Sequence, residues 1–515
     1  MLAFIVRRFF ATILVLLAAS FIVYFLTAIS GDPLLELRGS SDPNAQEKIA
    51  YLTRVLDLDT PPALRYFKWL AGVAGCFIGQ CDLGIAVSRG EQAVTEALAG
   101  AMVSTIQLVT LATIVAIVLG VAIGMSTALR QYSGYDYTVT FMTFVFYSLP
   151  IFWFAVLLKE WGAIRFNQFL GNPEVPIWLA VIIAIGSGAA WMGIVGGSSK
   201  TRAKVLGVAT AVTFFGLQAL LLTGWFEKPS LGLVGILLGG ILVSIIVIAL
   251  TTGFRQRGML LAAAAVVGFW LAVWYPLQFL FFFIPELWTL VALVALAIAV
   301  AFIAGTLFGG EDKRQIIRAA GIISILTLGF VIVDRVLQTW TDYELMIPQA
   351  QGIISTIGAK TPNLPGDMWF QMLDSFGHLL LPTIALSIGS LAAYTRYARS
   401  SLLEVLNQDY VRTARAKGLP ERTVIMRHAF RNAMIPIVTI VAFDVGGLIG
   451  GAIITERIFA WQGMGSLFNL GLQAVDLNLV MGVFLVTGFL AVFANLVADL
   501  LYSLLDPRIR VGAGK

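Results

Sequence analysis

Twelve stretches of mostly apolar residues determine what this chain can fold into. A helix needs about 20 such residues to cross the hydrocarbon core of a bilayer, and each stretch is near that length. Of the 515 residues, 59% are hydrophobic and only 12% are charged, whereas a soluble domain carries about 25% charged residues. The sequence therefore predicts an all-α polytopic membrane protein, with spans near residues 9–29, 101–129, 137–158, 177–198, 205–224, 231–252, 259–284, 287–309, 316–337, 377–395, 433–455 and 479–503.

The basic residues predict the orientation of these spans, because Lys and Arg concentrate in the short cytoplasmic loops of membrane proteins. If the N-terminus is cytoplasmic, alternation along twelve spans places both termini and most loop cations on that side. The first stretch is longer than the roughly 7–15 apolar residues of a signal peptide, so we interpret it as an uncleaved anchor. The cations placed inside are the eight basic residues of 396–431 together with Arg7, Arg8, Arg130, Lys200, Arg202, Lys204, Arg255, Arg257, Lys313, Arg314, Arg318, Arg508, Arg510 and Lys515.

The chain contains only two Cys and two His residues. That number argues against Cys/His metal centres and against a Cys/His nucleophile, so we predict neither a catalytic nor a metal-binding residue. Cys76 and Cys81 lie in the long loop at residues 31–100, on the predicted outer face, where a disulfide can persist. They are a candidate disulfide, and two unpaired thiols in a half-buried loop are the alternative.

The stretch DYVRTARAKGLPERTVIMRHAFRNAMIP, residues 409–436, holds six Lys and Arg residues between two apolar stretches; we call it the basic segment. Apolar residues recur at helical spacing up to Val411. Gly418 is placed to end a helix, and Pro420 to begin the next one. The pattern predicts two short cytoplasmic helices joined by a glycine turn. A simple connector needs less structure, so we interpret the segment as a docking element for another protein.

The basic segment resembles the characteristic cytoplasmic loop of ABC importer permeases, specifically of the dipeptide and oligopeptide permease family. The generic motif of that loop is Glu-Ala-Ala-x-x-x-Gly. Ala414 and Gly418 match it, while Arg412 and Thr413 follow the form of the peptide-transporter branch. The resemblance covers roughly residues 1–165 and 365–512, and includes RRFFATILVLLAASFIVYFLTAISGDP, CDLGIAVSRGEQAVTEAL, YSLPIFWFAVLL, HLLLPTIALSIGSLAAYTRYARSSLLEVL, TERIFAWQGMGSLF and DLLYSLLDPRIR.

The resemblance implies that the basic segment is a coupling helix, which sits in a groove of a cytoplasmic ATPase subunit. The implied partners are a second homologous permease, two ABC ATPase subunits, an extracytoplasmic solute-binding protein and membrane lipid, and not nucleic acid. The implied location is the cytoplasmic membrane of a bacterium or archaeon. The candidate coupling residues are Glu404, Asp409, Tyr410, Arg412, Thr413, Ala414, Arg415, Ala416, Gly418 and His428.

The sequence carries no P-loop for ATP. Its nearest imitation, GIVGGSSKT at residues 193–201, lacks the required glycines, and we interpret it as a cytoplasmic turn. We therefore expect no cofactor in this chain, with ATP and Mg²⁺ bound by the partner subunits.

Members of the resembled family have six core helices, so this chain departs from them by a large insertion. We predict an N-terminal half of the core at residues 1–165, with three helices and the outer loop. An inserted bundle of about six spans follows at 166–364. Residues 365–515 complete the core and contain the basic segment. The charges of the insert fall in its turns, with few inside its spans, and we interpret it as an accessory bundle; a second translocation path is the alternative.

Asp444 lies within a predicted span, where a carboxylate usually faces a partner helix or a water path. Two interpretations are equally open for it: pore lining, or a structural role in which it forms a hydrogen bond to a neighbouring helix or is protonated. Small residues at spacings of four let membrane helices approach closely. We predict that this helix borders the pathway, with close contacts at Gly446, Gly447, Gly450 and Gly451.

The function predicted from these features is that of a non-enzymatic permease subunit. It forms half of the translocation pathway of an ATP-driven importer for peptides, which a solute-binding protein delivers. One alternative is the same class of transporter for nickel or an oligosaccharide. A less favoured one is a twelve-helix secondary transporter built from two six-helix repeats, although the middle of the chain shows no second copy of the basic segment.

Overall fold

The computed structural model describes residues 2–39, 41, 43–348 and 351–505, and most of them lie in helices. The first part of the chain contains α1 (Leu2–Ile29), α2 (Leu35–Arg38), α3 (Ala45–Val55), α4 (Pro62–Gly75), α5 (Val94–Leu129), α6 (Gly134–Ser148), α7 (Ile151–Leu157) and α8 (Arg165–Gly171). Between α4 and α5, a short antiparallel ribbon pairs β1 (Ile85–Ala86) with β2 (Gln92–Ala93).

The middle of the chain contains α9 (Ile177–Val195), α10 (Ser199–Leu222), α11 (Gly232–Leu250), α12 (Arg257–Phe283), α13 (Leu287–Phe308), α14 (Lys313–Gln338) and α15 (Trp340–Met346). The last part contains α16 (Met368–Leu406), α17 (Asp409–Ala416), α18 (Glu421–Thr423), α19 (Phe430–Gly451), α20 (Ile453–Ile458), α21 (Met464–Gln473) and α22 (Leu477–Leu505). Two stretches of π-helical turns lie at Leu158–Ile164 and Val424–Ala429.

The helices confirm the prediction of an all-α polytopic membrane protein. Ten helices of the described chain are long and apolar enough to cross a membrane, and the bent pair α6 and α7–α8 adds an eleventh candidate. α1 contributes a shorter apolar helix over its described part, Ile13–Ile29. Every predicted stretch coincides with one of these elements. The chain is therefore built to lie in a bilayer along most of its length.

The third predicted span, at residues 137–158, was wrong as a single uninterrupted helix. The chain bends by 103° between α6 and α7. Leu149 has an extended backbone, with φ −74° and ψ 128°, directly before Pro150. Proline disfavours helical geometry at the preceding residue and has no amide hydrogen to donate, so the Leu-Pro pair ends α6.

The two longest helices, α5 and α16, cross closely because α5 presents glycines at the crossing. A Cβ atom on Gly120 would lie 2.8 Å from the Cβ of Tyr394, and one on Gly124 would lie in the space of the Thr395 carbonyl. Glycines four residues apart permit this approach of two backbones within a membrane. The pattern is visible in the sequence as GVAIG at residues 120–124.

The inserted helices form two units. α9 and α10 pair as a hairpin, and α9 also contacts α6 of the core. Helices α11 to α14 pack around a buried apolar core of their own, which includes Trp270 and Ile323. Trp369 of α16 enters that core, where its ring meets Phe281 at 4.9 Å between centroids and its Nε1 donates to the Phe281 carbonyl at 3.1 Å. The bundle is therefore anchored to the first turn of α16.

Asp334 is an exception to the expectation that the charges of the insert lie in its turns. It is fully buried within α14. Its Oδ1 accepts hydrogen bonds from the backbone amides of Leu231 and Gly232, each at 2.8 Å. Its Oδ2 accepts from the Trp274 indole at 2.8 Å and from the Gln338 amide at 2.9 Å. The carboxylate thus caps the positive N-terminal end of α11, which is a structural role.

Residues 351–364, which the sequence analysis assigns to the insert, pack against the start of α16. Ile353 and Ile354 are buried there. The Asn167 side chain donates to the Ile354 carbonyl at 2.8 Å and accepts from the Ile354 amide at 3.1 Å. The two ends of the insert therefore meet at Asn167.

This meeting of the two ends predicts that the inserted helices can be removed without unfolding the rest. We expect a chain lacking residues 173–350, joined by a short Gly-Ser linker, to insert in membranes and to remain monodisperse in detergent, because the Asn167–Ile354 contact is kept. A control deletion of 173–364 also removes Ile353 and Ile354 and should aggregate. Size-exclusion chromatography distinguishes the two, and aggregation of the shorter deletion would contradict the prediction.

Candidate functional site

The basic segment begins with α17, an eight-residue helix with two unlike faces. Val411 and Ala414 are buried and pack, together with Val424, against Val405 and Leu406 of α16. Positions three apart share one face of a helix, so the alternation of apolar and basic residues fixes which face turns inward. Ala414, one of the predicted coupling residues, therefore supports the helix from within the chain.

The opposite face of α17 is exposed and carries most of the predicted coupling residues. Within it, the Tyr410 hydroxyl accepts a hydrogen bond from Asn432 at 2.9 Å. An Arg412 guanidinium nitrogen lies 3.8 Å from the Asp409 carboxylate, and both side chains are well exposed. Such exposed pairs contribute under about 1 kcal/mol. The exposed residues are Asp409, Tyr410, Arg412, Thr413, Arg415 and Ala416.

Gly418 ends α17 as the sequence predicts. Its φ is +73°, in the left-handed region. Its amide donates to the Arg415 carbonyl at 2.9 Å, and the Leu419 amide donates to the Ala414 carbonyl at 3.4 Å. This pair of bonds is the Schellman arrangement, which satisfies the last carbonyls of a helix and favours Gly at the left-handed position. Pro420 then directly precedes α18.

A bidentate ion pair spans the glycine turn. Arg415 donates to the Glu421 carboxylate from Nη2 at 2.6 Å and from Nε at 3.1 Å. The hydrogen bonds that it donates to this carboxylate raise the pKa of the Arg415 guanidinium above its usual value. Both side chains are about half exposed, so solvent screens the pair and its contribution to stability is small. Its fork geometry links the last turn of α17 to the first residue of α18.

The second short helix of the basic segment was predicted wrongly as a separate element. α18 continues through the π-helical turns at Val424–Ala429 directly into α19. Hydrophobicity rises gradually there, and no Gly or Pro separates the amphipathic turns from the span. His428 therefore lies, half-buried, at the entrance of a long helix, while Glu404 is exposed near the end of α16.

Asp444 lies half-buried in α19. It lies within electrostatic range of Tyr394 of α16, whose buried hydroxyl has no hydrogen-bond partner among the described residues. Asp444 therefore sits where α19 faces α16, beside the crossing of α16 with α5. The side-chain surroundings of Gly446, Gly447, Gly450 and Gly451 lie outside the part of the chain that the structure describes, so close contact at these positions stays a prediction.

Glu456 is a buried carboxylate that the sequence analysis does not single out. Its Oε1 accepts from the Thr105 hydroxyl, and its Oε2 from the Ser466 amide, each at 2.8 Å. Gly463 leaves room for this carboxylate, since a Cβ there would occupy the place of its Oε1. The network joins α5, α20 and α21. A charged residue just past the span at 433–455, followed by the WQGMG turn, was the available signal.

The loop between α1 and α5 covers the end of the molecule opposite α17; we call this end the disulfide side, and the other the α17 side. Cys76 and Cys81 are joined by a disulfide between α4 and β1. Asp476 at the start of α22 accepts hydrogen bonds from the amide and hydroxyl of Ser88, at 2.9 and 2.8 Å. These contacts fasten the loop to the last helix.

A cavity of about 610 Å³ opens between this loop, the end of α1 and the start of α22. Two ion pairs lie along its wall: Asp32 lies 2.9 Å from Arg38, and Asp57 accepts a hydrogen bond from Lys68. The bond from Lys68 lowers the pKa of the Asp57 carboxyl. Two other lining residues, Arg65 and Trp69, have a buried side-chain nitrogen without a hydrogen-bond partner among the described residues.

The disulfide leads to a direct chemical prediction. We expect a maleimide to label neither Cys76 nor Cys81 in the native protein until a reductant is added, because disulfide sulfurs do not react with it. The measurement is the mass shift of the intact chain with and without prior reduction. A Cys76→Ser variant is the control, since it frees the Cys81 thiol for labelling. Labelling of both thiols in unreduced protein would contradict the pairing.

Two regions of the chain match models of known protein families. Residues 257–511 match the model of the binding-protein-dependent transport system inner membrane component. Residues 1–109 match the model of the N-terminal region of the same transport system membrane component. The chain belongs to this permease family. The first match begins inside the predicted insert and contains the whole basic segment.

Individual relatives agree with this assignment. The oligopeptide transport system permease protein OppB of Mycobacterium tuberculosis is 40% identical over 154 residues, which is 30% of this chain and 47% of the relative. AppB of Bacillus subtilis, also an oligopeptide permease, is 42% identical over 158 residues, 31% of this chain and 49% of the relative. The dipeptide transport system permease protein DppB of Escherichia coli K12 is 48% identical over 138 residues, 27% of this chain and 41% of the relative. The chain thus spans less than half of the length of these relatives.

Proposed function

We propose that this permease chain forms half of the translocation pathway of an ATP-driven importer. The observation that supports this most is the construction of α17. Its apolar face is fixed to the chain's own membrane helices, and its polar face is exposed. The Gly418 turn then leads into α19 without a further break. Force applied to α17 by a partner therefore reaches the helix that carries Asp444.

In this proposal the α17 side is cytoplasmic, as are both termini, in the membrane of a bacterium or archaeon. The concentration of loop cations on that side supports the orientation. They include Arg130 before α6, Arg257 at the start of α12, and Lys313 and Arg314 at the start of α14.

The partners in this proposal are two ABC ATPase subunits, a second homologous permease and a solute-binding protein. ATP and Mg²⁺ are bound by the ATPase subunits, on which the exposed face of α17 rests. The turn at residues 193–201 supports the assignment of ATP binding to the partner subunits. Gly196 and Gly197 form it, and Ser198 caps the start of α10 by accepting a hydrogen bond from the Thr201 amide. Ser198 therefore serves the chain's own helix.

The transported solute in this proposal is a peptide. The support is that the relatives above are named as oligopeptide or dipeptide permeases. The pathway runs beside the close crossing of α5 with α16 and along α19, where Asp444 lies near Tyr394. Nickel and oligosaccharides are the competing solutes.

Affinity purification from native membranes tests the assembly. A tag on this chain should recover ATPase subunits and a second permease in mild detergent. A Val411→Asp variant should still recover the second permease but lose the ATPases, because it places a charge under α17 and detaches that helix. A conservative Val411→Ile variant is the control. Recovery of the tagged chain without any ATPase under conditions that keep it monodisperse would contradict the proposal.

A further inference from the structure

The insert reaches the basic segment on the α17 side of the molecule. The contact is made by residues 251–256, the turn that joins α11 to α12. Gly253 lies so near Arg422 of α18 that a Cβ on this glycine would be 3.6 Å from an Arg422 guanidinium nitrogen. A second nitrogen of this guanidinium, Nη2, is buried and has no acceptor among the described residues. The Arg422 guanidinium thus lies between the basic segment and the insert.

The 251–256 turn is held in place from within the insert. Gly253 has φ +77°, and its amide donates to the Ile248 carbonyl at 2.8 Å, which closes the end of α11. Gln315 of α14 donates to the Thr251 carbonyl at 3.0 Å, and Gln256 donates to the Asp312 carboxylate at 2.6 Å. Three hydrogen bonds, with partners in α11, in α14 and at Asp312 directly before α14, therefore fix this turn beside Arg422.

The tip of the turn carries an exposed aromatic side chain. Phe254 is 53% exposed, and Arg255 beside it is exposed as well. The basic segment presents exposed apolar side chains on either side of Arg422 in the chain, Leu419 at 38% and Met426 at 45% exposure. We call Phe254, Arg255, Leu419 and Met426 the joint surface.

We infer that the joint surface is a single docking site, and that the ATPase subunit seated on α17 also contacts Phe254 and Arg255 of the insert. This inference rests on the proposed function. It follows because the two surfaces are continuous. Arg422 lies beside Gly253 of the insert, and the preceding residue, Glu421, forms the ion pair with Arg415 of α17. A body large enough to cover α17 and Leu419 reaches the turn beside Arg422.

The chemistry of the joint surface describes the matching partner face. Each of its apolar side chains has an exposed cation within two residues of it in the chain: Arg255 follows Phe254, Lys417 precedes Leu419, and Arg427 follows Met426. A partner surface that complements it is an apolar patch with carboxylates at its rim, because charge-complementary rims favour the correct register. The six-helix core alone would offer such a partner only the α17 half of the surface.

Photo-crosslinking in the assembled complex tests the inference. Benzoylphenylalanine replaces Phe254, which it resembles in shape. The same probe at Leu419 reports on the basic segment. At Phe283, which is 73% exposed at the opposite end of α12, it serves as the matched control. After irradiation, adducts are identified by mass spectrometry. We expect ATPase adducts from positions 254 and 419 and none from 283.

The outcomes separate this inference from the proposed function. ATPase adducts at 419 without any at 254 would overturn the joint surface and leave the coupling role of α17 intact. Lipid adducts as the sole product at 254 would overturn it in the same way, because they place Phe254 in the bilayer. Absence of ATPase adducts at both positions would overturn the proposed function as well.

Discussion

Gly418→Val is expected to abolish ATP-driven uptake while the chain remains in the membrane. The φ of Gly418 is +73°, and no atom lies within 4 Å of the place that a Cβ would take. The effect therefore comes from the backbone alone. A left-handed conformation costs an L-residue about 1–2 kcal/mol, and β-branching makes it worse. Relief of this strain rotates α17 relative to α18, so the ATPase meets the helix at the wrong angle.

Two control variants separate the backbone effect from a loss of side-chain contacts. Gly418→Asn should keep most of the uptake, because Asn tolerates the left-handed region better than other residues. Arg412→Ala should be mild, since an exposed charge pair contributes under about 1 kcal/mol. Uptake and ATPase rates are measured together in reconstituted vesicles. A Gly418→Val variant that transports at the wild-type rate would remove this turn from the coupling path.

Gly124→Ala is expected to lower the thermal stability of the chain by loosening the crossing of α5 with α16. The added methyl group would overlap the Thr395 carbonyl and lie 2.8 Å from the Ala398 methyl. Overpacking of this kind typically costs about 1–3 kcal/mol, because the two helices must move apart. The midpoint of thermal unfolding in detergent should therefore fall.

Gly100→Ala is the matched control for this prediction. Gly100 lies on the same helix, and a Cβ there meets nothing within 4 Å. Its unfolding midpoint should stay the same or rise slightly, since Ala favours helix more than Gly does. Equal midpoints for the two variants would show that the close approach at Gly124 contributes nothing to stability.

The positions of the apolar helices could be predicted because they depend on a local property, the length of an apolar run. The break at Leu149 and Pro150 was missed because it does not interrupt the apolar run. Hydrophobicity stays high across it, and only the backbone geometry of the pair interrupts the helix. The same limit explains why α18 merges with α19, where a rising hydrophobicity gives no boundary.

The parts of the candidate site that are marked by neighbouring residues in the sequence could be predicted. The contacts between residues far apart in the sequence could not. Gly418 and Pro420 mark the end of α17 in the sequence itself. Glu456, in contrast, is held by Thr105, and the amide of Leu231 is held by Asp334. The partners in these pairs are 351 and 103 residues apart. A single sequence shows a carboxylate near an apolar run, where its burial is energetically unfavourable. It does not show which groups donate hydrogen bonds to that carboxylate.

The contact between the insert and the basic segment likewise joins residues that are far apart in the sequence. Gly253 and Arg422 each look like ordinary loop residues, and only the fold brings them together. A bundle whose ends both meet at Asn167 could have lain anywhere around the core.

Peptide uptake into proteoliposomes tests the central claim most directly. One preparation contains this chain alone, and a second contains it with the ATPase subunits, the second permease and the solute-binding protein. The account predicts accumulation of labelled peptide in the second preparation only, and only when ATP is supplied on the α17 side. Accumulation by the chain alone, driven by an ion gradient and indifferent to ATP, would contradict it and identify a secondary transporter.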